Sequence, residues 1–211
     1  MLGKKFLVAL AALSVFNFSN INFDENIMSV SKVYAEANYE IAEQKFKEGL
    51  DLYFQGDYKG AIKKYTEAIN AYPDSANVYY NRGMCYQVLQ NYSQAFADYD
   101  KAIELNPNFA DVYSNRGMIY SDLGKFDDAI ADYNKAISLN PNYYNAYFNL
   151  GNAYRYLQDY QNAIPYFTKA IQIDPNRYHA YVNRAICYQE IGENAKSEAD
   201  LTKARQLGYE E

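Results

Sequence analysis

An internal repeat of 34 residues constrains this chain more than any other feature of its sequence. Prolines recur at that step, at Pro73, Pro107, Pro141 and Pro175. Small residues keep the same phase in three further columns: Gly49, Gly83, Gly117, Gly151 and then Ala185; Ala61, Ala95, Ala129 and Ala163; and Ala68, Ala102, Ala136, Ala170 and Ala204. A fixed period of this length is typical of a tandem array in which every unit is one supersecondary element.

Tyrosine follows the same period, which accounts for much of its 25 copies in a chain without tryptophan. Two of the aromatic columns are Tyr79, Tyr113, Tyr147 and Tyr181, and Tyr65, Tyr99, Tyr133 and Phe167. Within each unit, apolar residues recur at helical spacing in two runs, which are separated by a turn such as Leu-Gly-Lys and closed by an asparagine-proline pair or an equivalent stop. Each unit is therefore predicted to be a helical hairpin. Because a single hairpin cannot bury both of its apolar faces, the hairpins must stack.

These columns resemble the tetratricopeptide-repeat pattern from Ala42 to the C-terminus, most closely between Tyr143 and Pro175. The resemblance implies an all-α protein, an α-solenoid of five helical hairpins that forms a right-handed superhelix. It also implies that the first helix of each hairpin lines the concave side. The predicted repeats span residues 42–75, 76–109, 110–143, 144–177 and 178–211.

Pairs of residues 16 positions apart vary together from repeat to repeat. The pairs are Arg82 with Asp98, Arg116 with Asp132, Arg184 with Asp200, Glu48 with Lys64, and Leu150 with Tyr166. In three repeats the first residue is basic and the second is acidic. In one repeat the two charges are exchanged, and in one repeat both residues are apolar or aromatic. This covariation predicts a contact between the two helices of each hairpin and a structural role for the arginines. An anion-binding stripe formed by the same arginines is the alternative.

Both ends of the array carry polar residues where the inner repeats are apolar or aromatic. Glu198 and Arg205 stand in columns that hold isoleucine or phenylalanine elsewhere, so the last helix is predicted to face water. At the other end, Lys45 replaces a tyrosine. Polar caps of this kind are needed at the ends of repeat arrays.

The residues that could support chemistry do not converge. The chain has one histidine, two cysteines and dispersed carboxylates, and it lacks the motifs of the common catalytic and phosphate-binding sites. We therefore expect no enzyme activity, no cofactor and no metal. Cys85 and Cys187 share one column three repeats apart, which predicts two buried thiols rather than a disulfide. The formal net charge of -6 argues against a nucleic-acid partner.

The resemblance places certain positions of each first helix on or near the groove. The candidate peptide-binding residues at these positions are Phe46, Leu50, Tyr80, Met84, Met118, Phe148, Asn152 and Tyr156. A column of asparagines, Asn81, Asn115, Asn149 and Asn183, adds one amide per repeat. An amide can donate to a carbonyl and accept from an N–H of the same extended peptide. The alternatives are contacts of the apolar residues with the adjacent helix, and a local capping or packing role for the asparagines.

The predicted function is a scaffold or adaptor that binds a peptide or protein partner in its concave groove. Two alternatives stay open: a structural module that associates with itself, and an accessory subunit that presents substrate to a separate enzyme.

The N-terminus has the pattern of an export signal. Lys4 and Lys5 precede an apolar run from Phe6 to Phe16, and small residues follow in the sequence VYAEA. Residues 1–37 are therefore predicted to be a signal peptide and linker, cleaved after Ala35 or Ala37, which gives a periplasmic, cell-envelope or secreted protein. An uncleaved segment that tethers the protein to a membrane, or a cytosolic protein with an apolar tail, are the alternatives.

Overall fold

The chain folds into α-helices joined by short turns. The computed structural model describes residues 23–210, with the side chains of residue 29 and of residues 32–210. The helices are α1 (Phe23–Phe54), α2 (Tyr58–Ala71), α3 (Ala76–Val88), α4 (Tyr92–Leu105), α5 (Ala110–Asp122), α6 (Phe126–Leu139), α7 (Tyr144–Tyr156), α8 (Tyr160–Ile173), α9 (Tyr178–Glu190) and α10 (Asn194–Gln206). No strand forms between residues 23 and 210. The all-α prediction is confirmed.

The chain divides into two compact units, and the division falls between Ile41 and Ala42. In the first unit, the predicted cleavage positions Ala35 and Ala37 lie in helix, and Val33 and Tyr34 are exposed. The predicted signal residues Lys4, Lys5 and Phe6 to Phe16 lie outside the described residues, so export stays a prediction. None of the helices within residues 23–210 combines the length and the hydropathy that crossing a membrane requires.

The second unit consists of helical hairpins in tandem. The two helices of a hairpin are joined by a tight turn with one residue in the left-handed region. This residue is Gly124 in the turn between α5 and α6 (φ 70°) and Gln158 in the turn between α7 and α8 (φ 60°). Glycine adopts this conformation without steric cost, whereas other residues do so rarely. The Leu-Gly-Lys type of turn in the sequence therefore marks the centre of each hairpin.

The asparagine-proline pairs end the second helices. Asn106 and Asn140 are the residues that follow α4 and α6, and each accepts a hydrogen bond at its side-chain oxygen from the backbone N–H two residues further on, at 3.1 Å. Asp174 does the same after α8, at 3.2 Å. Since the residue before a proline is disfavoured in helical conformation, these local contacts separate successive hairpins.

The glycine column allows an aromatic ring to pack directly on a helix backbone. A Cβ atom on Gly83 would lie 2.7 Å from the ring of Tyr99, and one on Gly117 would lie 2.8 Å from the ring of Tyr133. In the last hairpin Ala185 replaces the glycine, and Leu201 stands where the other hairpins have an aromatic ring. Small residues on the first helix of a hairpin therefore face large residues on its second helix.

The covarying pairs are in contact. The guanidinium of Arg116 donates two hydrogen bonds to the carboxylate of Asp132, both of 2.8 Å, and Arg82 and Arg184 bind Asp98 and Asp200 in the same bidentate manner. The reversed pair in repeat 1 joins Lys64 to Glu48 at 2.7 Å. Hydrogen bonds from Lys64 and Lys45 lower the pKa of Glu48 from 4.5 to about 2. The structural role predicted for Arg82, Arg116 and Arg184 is confirmed.

Each of these arginines has a second partner that the sequence reasoning did not identify. Arg116 Nη1 donates to Asp100 on the second helix of the preceding repeat, at 2.6 Å, and Arg82 donates in the same way to Thr66 at 3.0 Å. Arg184 donates to Thr168 at 2.9 Å. Because the second partner also lies 16 positions away, each arginine joins two successive hairpins as well as the two helices of its own.

The polar caps are found where they were predicted. Glu198 and Arg205 are exposed on α10 and form an ion pair of 3.0 Å with each other. Lys45 pairs with Glu48 on α1, at 2.9 Å. The prediction that the last helix faces water is confirmed.

Candidate functional site

The first helices of successive hairpins share one surface. Helix α3 contacts α5, α5 contacts α7, and α7 contacts α9. A direct bond along this surface runs from Asn115 Nδ2 on α5 to the hydroxyl of Tyr80 on α3, at 3.0 Å. Side chains that leave neighbouring first helices on this side can therefore contact a single bound segment.

The four asparagines of the candidate column have different surroundings. Asn81 Nδ2 donates to the backbone carbonyl of Asn77 in its own helix, at 2.7 Å, and Asn115 donates to Tyr80. Asn149 lines a pocket, and Asn183 is half-buried on α9. The local packing role that the sequence left open describes Asn81 and Asn115. Recognition of a peptide backbone stays a prediction for all four asparagines.

Several candidate apolar residues pack inside the array. Phe46 contacts Tyr65 with ring centroids 5.7 Å apart, and Phe148 contacts Phe167 at 5.9 Å. Tyr80 packs against Phe109 at 4.9 Å, and burial raises the pKa of its hydroxyl to about 12. Met84 belongs to the same apolar cluster as Tyr80, and Leu50 is half-buried on α1. For Phe46, Tyr80, Met84 and Phe148, the structure shows the contacts with adjacent helices that the sequence left as an alternative.

Four of the twelve candidates come together in one pocket between repeats 3 and 4. Its volume is about 150 Å³, and its lining includes Met118 on α5 and Asn149, Asn152 and Tyr156 on α7. The other lining residues are Ser121, Asp122, Tyr133 and Ala153. Met118 is 39% exposed and Tyr156 is 62% exposed, so both are accessible to a ligand. A cavity of this size accommodates a group about as large as benzene.

The pocket combines apolar walls with hydrogen-bonding groups. Tyr133 lies at its base, with its hydroxyl 3.1 Å from Ser121 Oγ, and burial raises the pKa of that hydroxyl to about 12. At the edge, the Asp122 carboxylate accepts a hydrogen bond of 3.3 Å from the hydroxyl of Tyr92. The pocket therefore offers a ligand an apolar wall, the amides of Asn149 and Asn152, and the carboxylate of Asp122.

Three polar atoms on α7 are buried without a hydrogen-bond partner in the described part of the chain, and one of them is the hydroxyl of Tyr144 at the start of the helix. The other two lie near the pocket: Asn152 Oδ1, on a residue that lines it, and Arg155 Nε, one turn further along the helix. A buried polar group without a partner costs about 1–3 kcal/mol. Such atoms mark places where a ligand can supply the missing partner.

Three residues of the pocket were not identified from the sequence. Ser121, Tyr133 and Ala153 line it, and the signal that could have revealed them is side-chain size. At the positions that precede Ser121 and Ala153 by one repeat, the chain has the larger Gln87 and Ile119. At the junction between repeats 3 and 4, Ser121 and Ala153 therefore stand where the preceding junction has larger side chains.

The cysteines are buried thiols, as predicted. Burial raises the pKa of Cys85 to about 12 and that of Cys187 to about 11, and neither forms a disulfide. Thiols with a raised pKa are protonated and weakly nucleophilic at neutral pH. Within residues 23–210, no group of three or more histidine, cysteine and acidic side chains is arranged to hold a metal ion.

The chain matches known repeat families over most of its length. Residues 76–109, 110–143 and 144–177 match the family described as tetratricopeptide repeat, and residues 166–199 match a second family of that description. Residues 49–90 match a family described as TPR repeat. No catalytic family is indicated among these matches.

Solved structures resemble this fold closely. A crystal structure of the MamA protein has a TM-score of 0.70 and 25% sequence identity, covering 80% of this chain and 92% of that one. PilF of Pseudomonas aeruginosa has a TM-score of 0.76 at 19% identity, with 83% and 80% covered. YrrB, described as a TPR protein with an unusual peptide-binding site, has a TM-score of 0.65 at 23% identity, with 82% and 89% covered. At these identities, the likeness to PilF and YrrB concerns the fold alone.

Proposed function

This chain belongs to the tetratricopeptide-repeat family, whose members bind proteins or peptides, and we propose that it is a non-enzymatic scaffold that binds an extended segment of a partner protein on the surface of its first helices. The observation that carries the proposal is the pocket between repeats 3 and 4. Four of the residues predicted to bind a peptide, Met118, Asn149, Asn152 and Tyr156, converge there. YrrB, which shares the fold, has a peptide-binding site by its description.

The pocket fits one side chain of an extended peptide. Met118 and Tyr156 offer apolar contact, and the amides of Asn149 and Asn152 can bond the peptide groups on either side of that side chain. An extended peptide advances about 3.3 Å per residue, whereas neighbouring helices lie about 8–10 Å apart. A bound segment would therefore present roughly every third residue to a new repeat.

A random-peptide display library, selected on the immobilised full chain, supplies ligands for the test. Selected peptides are synthesised, and their dissociation constants are measured by fluorescence anisotropy. The variant carrying Met118→Ala and Tyr156→Ala should bind them at least about tenfold more weakly, because it loses the apolar wall of the pocket. Its melting temperature should change little, since neither side chain belongs to the buried core.

The matched control carries Leu123→Ala and Leu157→Ala. These leucines are 46% and 47% exposed and lie in the hairpin turns, outside the residues that line the pocket. The control should bind the selected peptides with the affinity of the wild type. Equal losses in the two double variants, or a failure to select any peptide, would contradict the proposal.

A second candidate function, self-association, is favoured by those same turns. Leu89, Leu123 and Leu157 occupy equivalent positions and are 40%, 46% and 47% exposed, so they form a repeated row of apolar side chains. Multi-angle light scattering of the full chain would detect assemblies. If this row joins copies of the chain, Leu123→Ala with Leu157→Ala should lower the mass, whereas Met118→Ala with Tyr156→Ala should not.

We also propose that the protein acts in the cell envelope or outside the cell. The support is the basic and apolar N-terminal sequence followed by small residues at positions 35 and 37. The N-terminal sequence of the protein recovered from its native cells tests this. A mature chain that begins at residue 36 or 38 in an exported fraction is expected, and an intact Met1 on a protein found in the cytosol would contradict export.

A further inference from the structure

Arg155 differs from every other arginine of the chain. Five arginines contact a carboxylate within salt-bridge distance: Arg82, Arg116, Arg177, Arg184 and Arg205. Arg155 has no carboxylate partner among the described side chains, and its Nε atom is buried without a hydrogen bond. The cost of desolvating this half-buried guanidinium is therefore not offset by a carboxylate within the described chain.

Its neighbours place Arg155 beside the pocket. The guanidinium carbon lies 4.7 Å from the ring centroid of Tyr156, which lines the pocket. The charge of Arg155 also lowers the pKa of Cys187 against the larger, opposing effect of burial, so the guanidinium is close to α9 as well. Glu190 on α9 is exposed and is not within salt-bridge distance of Arg155.

A half-buried guanidinium selects for a carboxylate. Its N–H groups form a planar fork that matches the two oxygens of a carboxylate, and a charge-assisted hydrogen bond is about twice as strong as a neutral one. A phosphate group or a polyanion is usually bound by several cations. No candidate peptide-binding residue and no residue that lines the pocket is a lysine or an arginine, and the net charge of -6 opposes a polyanion.

We propose that Arg155 binds the side-chain carboxylate of an aspartate or glutamate in the partner segment, next to the residue that enters the pocket. The inference rests on the proposed peptide-binding function and gives it a ligand chemistry: an extended segment with an apolar residue close to an acidic one. Asn152 Oδ1, one turn away on the same helix, is placed to accept an N–H of that segment after a rotation of its side chain.

The selected peptides test the inference directly. The displayed peptides have no free C-terminus and the synthetic ones are amidated, so any carboxylate must come from a side chain. Peptides selected on the wild-type chain should share an aspartate or glutamate at a fixed distance from an apolar residue. Replacing that acid by its amide should weaken binding to the wild type about 5- to 30-fold, which is the size expected for one charge-assisted contact.

The decisive measurement is the dependence of this loss on Arg155. The variant R155Q should bind the acidic peptide and its amide analogue with dissociation constants within about twofold of each other. The variant R155K retains the charge but not the planar fork, so replacing the acid by its amide should weaken binding by an intermediate factor. The control K203Q removes one positive charge from an exposed position on α10 and should behave as the wild type does. Circular dichroism and the melting temperature verify that each variant is folded.

The outcomes separate the two proposals. Peptides selected without a shared acid, or an unchanged preference for the acidic peptide in R155Q, would overturn the role of Arg155 and leave the groove as a peptide site. If E190Q strengthens binding of the acidic peptide while R155Q abolishes its preference, Glu190 competes for Arg155 and the role is supported. A library that yields no ligand would overturn both proposals.

Discussion

The junction between repeats 2 and 3 and the junction between repeats 3 and 4 are built from equivalent positions but end in different surfaces. At the first, Gln87 accepts a hydrogen bond of 2.6 Å from Tyr99, and Ile119 is fully buried. At the second, the equivalent residues are the smaller Ser121 and Ala153, and a pocket of about 150 Å³ is present. Shorter side chains at two positions thus distinguish a packed junction from a candidate binding site.

Repeats 3 and 4 differ in a second respect, at the contact between their two helices. Repeat 3 uses Arg116 with Asp132, whereas repeat 4 has Leu150 and Tyr166, and the ring of Tyr166 stacks on that of Tyr154 with centroids 5.3 Å apart. A buried ion pair and a well-packed apolar pair can contribute similar stability, because desolvation offsets much of the ionic attraction. The hairpin therefore tolerates either chemistry provided that both partners change together.

Removal of one partner from repeat 3 should have the largest effect. Asp132→Ala leaves the guanidinium of Arg116 without its buried partner and should lower the free energy of unfolding by about 3 kcal/mol, measured by urea denaturation. The combined change Arg116→Leu with Asp132→Tyr copies repeat 4, and Tyr120 is available for stacking where repeat 4 has Tyr154. We expect this pair to lie within about 1 kcal/mol of the wild type. If the double variant loses as much free energy of unfolding as the two single changes added together, the contact of repeat 4 cannot replace that of repeat 3.

Truncation at the packed junction should be almost as costly. Ile119→Ala removes a fully buried side chain and should destabilise the chain by about 3 kcal/mol, whereas the equivalent residue of the open junction is already Ala153. Urea denaturation again gives the value. A loss below about 1 kcal/mol would mean that the junction collapses around the smaller residue, and that side-chain size does not account for the pocket.

Filling the open junction tests the link between the pocket and binding. Ser121→Gln introduces the residue that the packed junction has at Gln87, and its side chain can accept from Tyr133 as Gln87 accepts from Tyr99. We expect peptide affinity to fall about tenfold, equivalent to about 1.4 kcal/mol, with an unchanged melting temperature. Binding that survives this substitution would place the peptide elsewhere on the first helices.

The smallest expected effect compares the turns of the same two repeats. Gln158 is exposed and has a φ of 60°, where repeat 3 has Gly124 with a φ of 70°. Gln158→Gly should raise the free energy of unfolding by about 0.5 kcal/mol, and Gly124→Ala should lower it by about 1 kcal/mol. Changes of the opposite sign in urea denaturation would mean that the Gln158 side chain stabilises its turn.

The fold could be predicted from the sequence because its determinants are periodic. Proline, glycine and alanine columns fixed the hairpins, and the covariation of Arg116 with Asp132 identified a contact that the structure contains. The second partner of each arginine, such as Asp100 for Arg116, was equally periodic but was not recognised. The candidate site was predicted less well. Of the twelve candidate residues, Phe46, Tyr80, Met84 and Phe148 pack against neighbouring helices, and only Met118, Asn149, Asn152 and Tyr156 line the pocket.

By itself, the sequence determined the period, the hairpins and the pairs that hold them together, because each depends on residue types at fixed spacing. Only the tertiary structure decided which groove positions are filled and which are open, because that depends on the volumes of side chains contributed by two repeats at once. The same reason applies to Arg155. The sequence shows an arginine on a first helix, and only the tertiary structure shows that its guanidinium has no carboxylate partner among the described side chains.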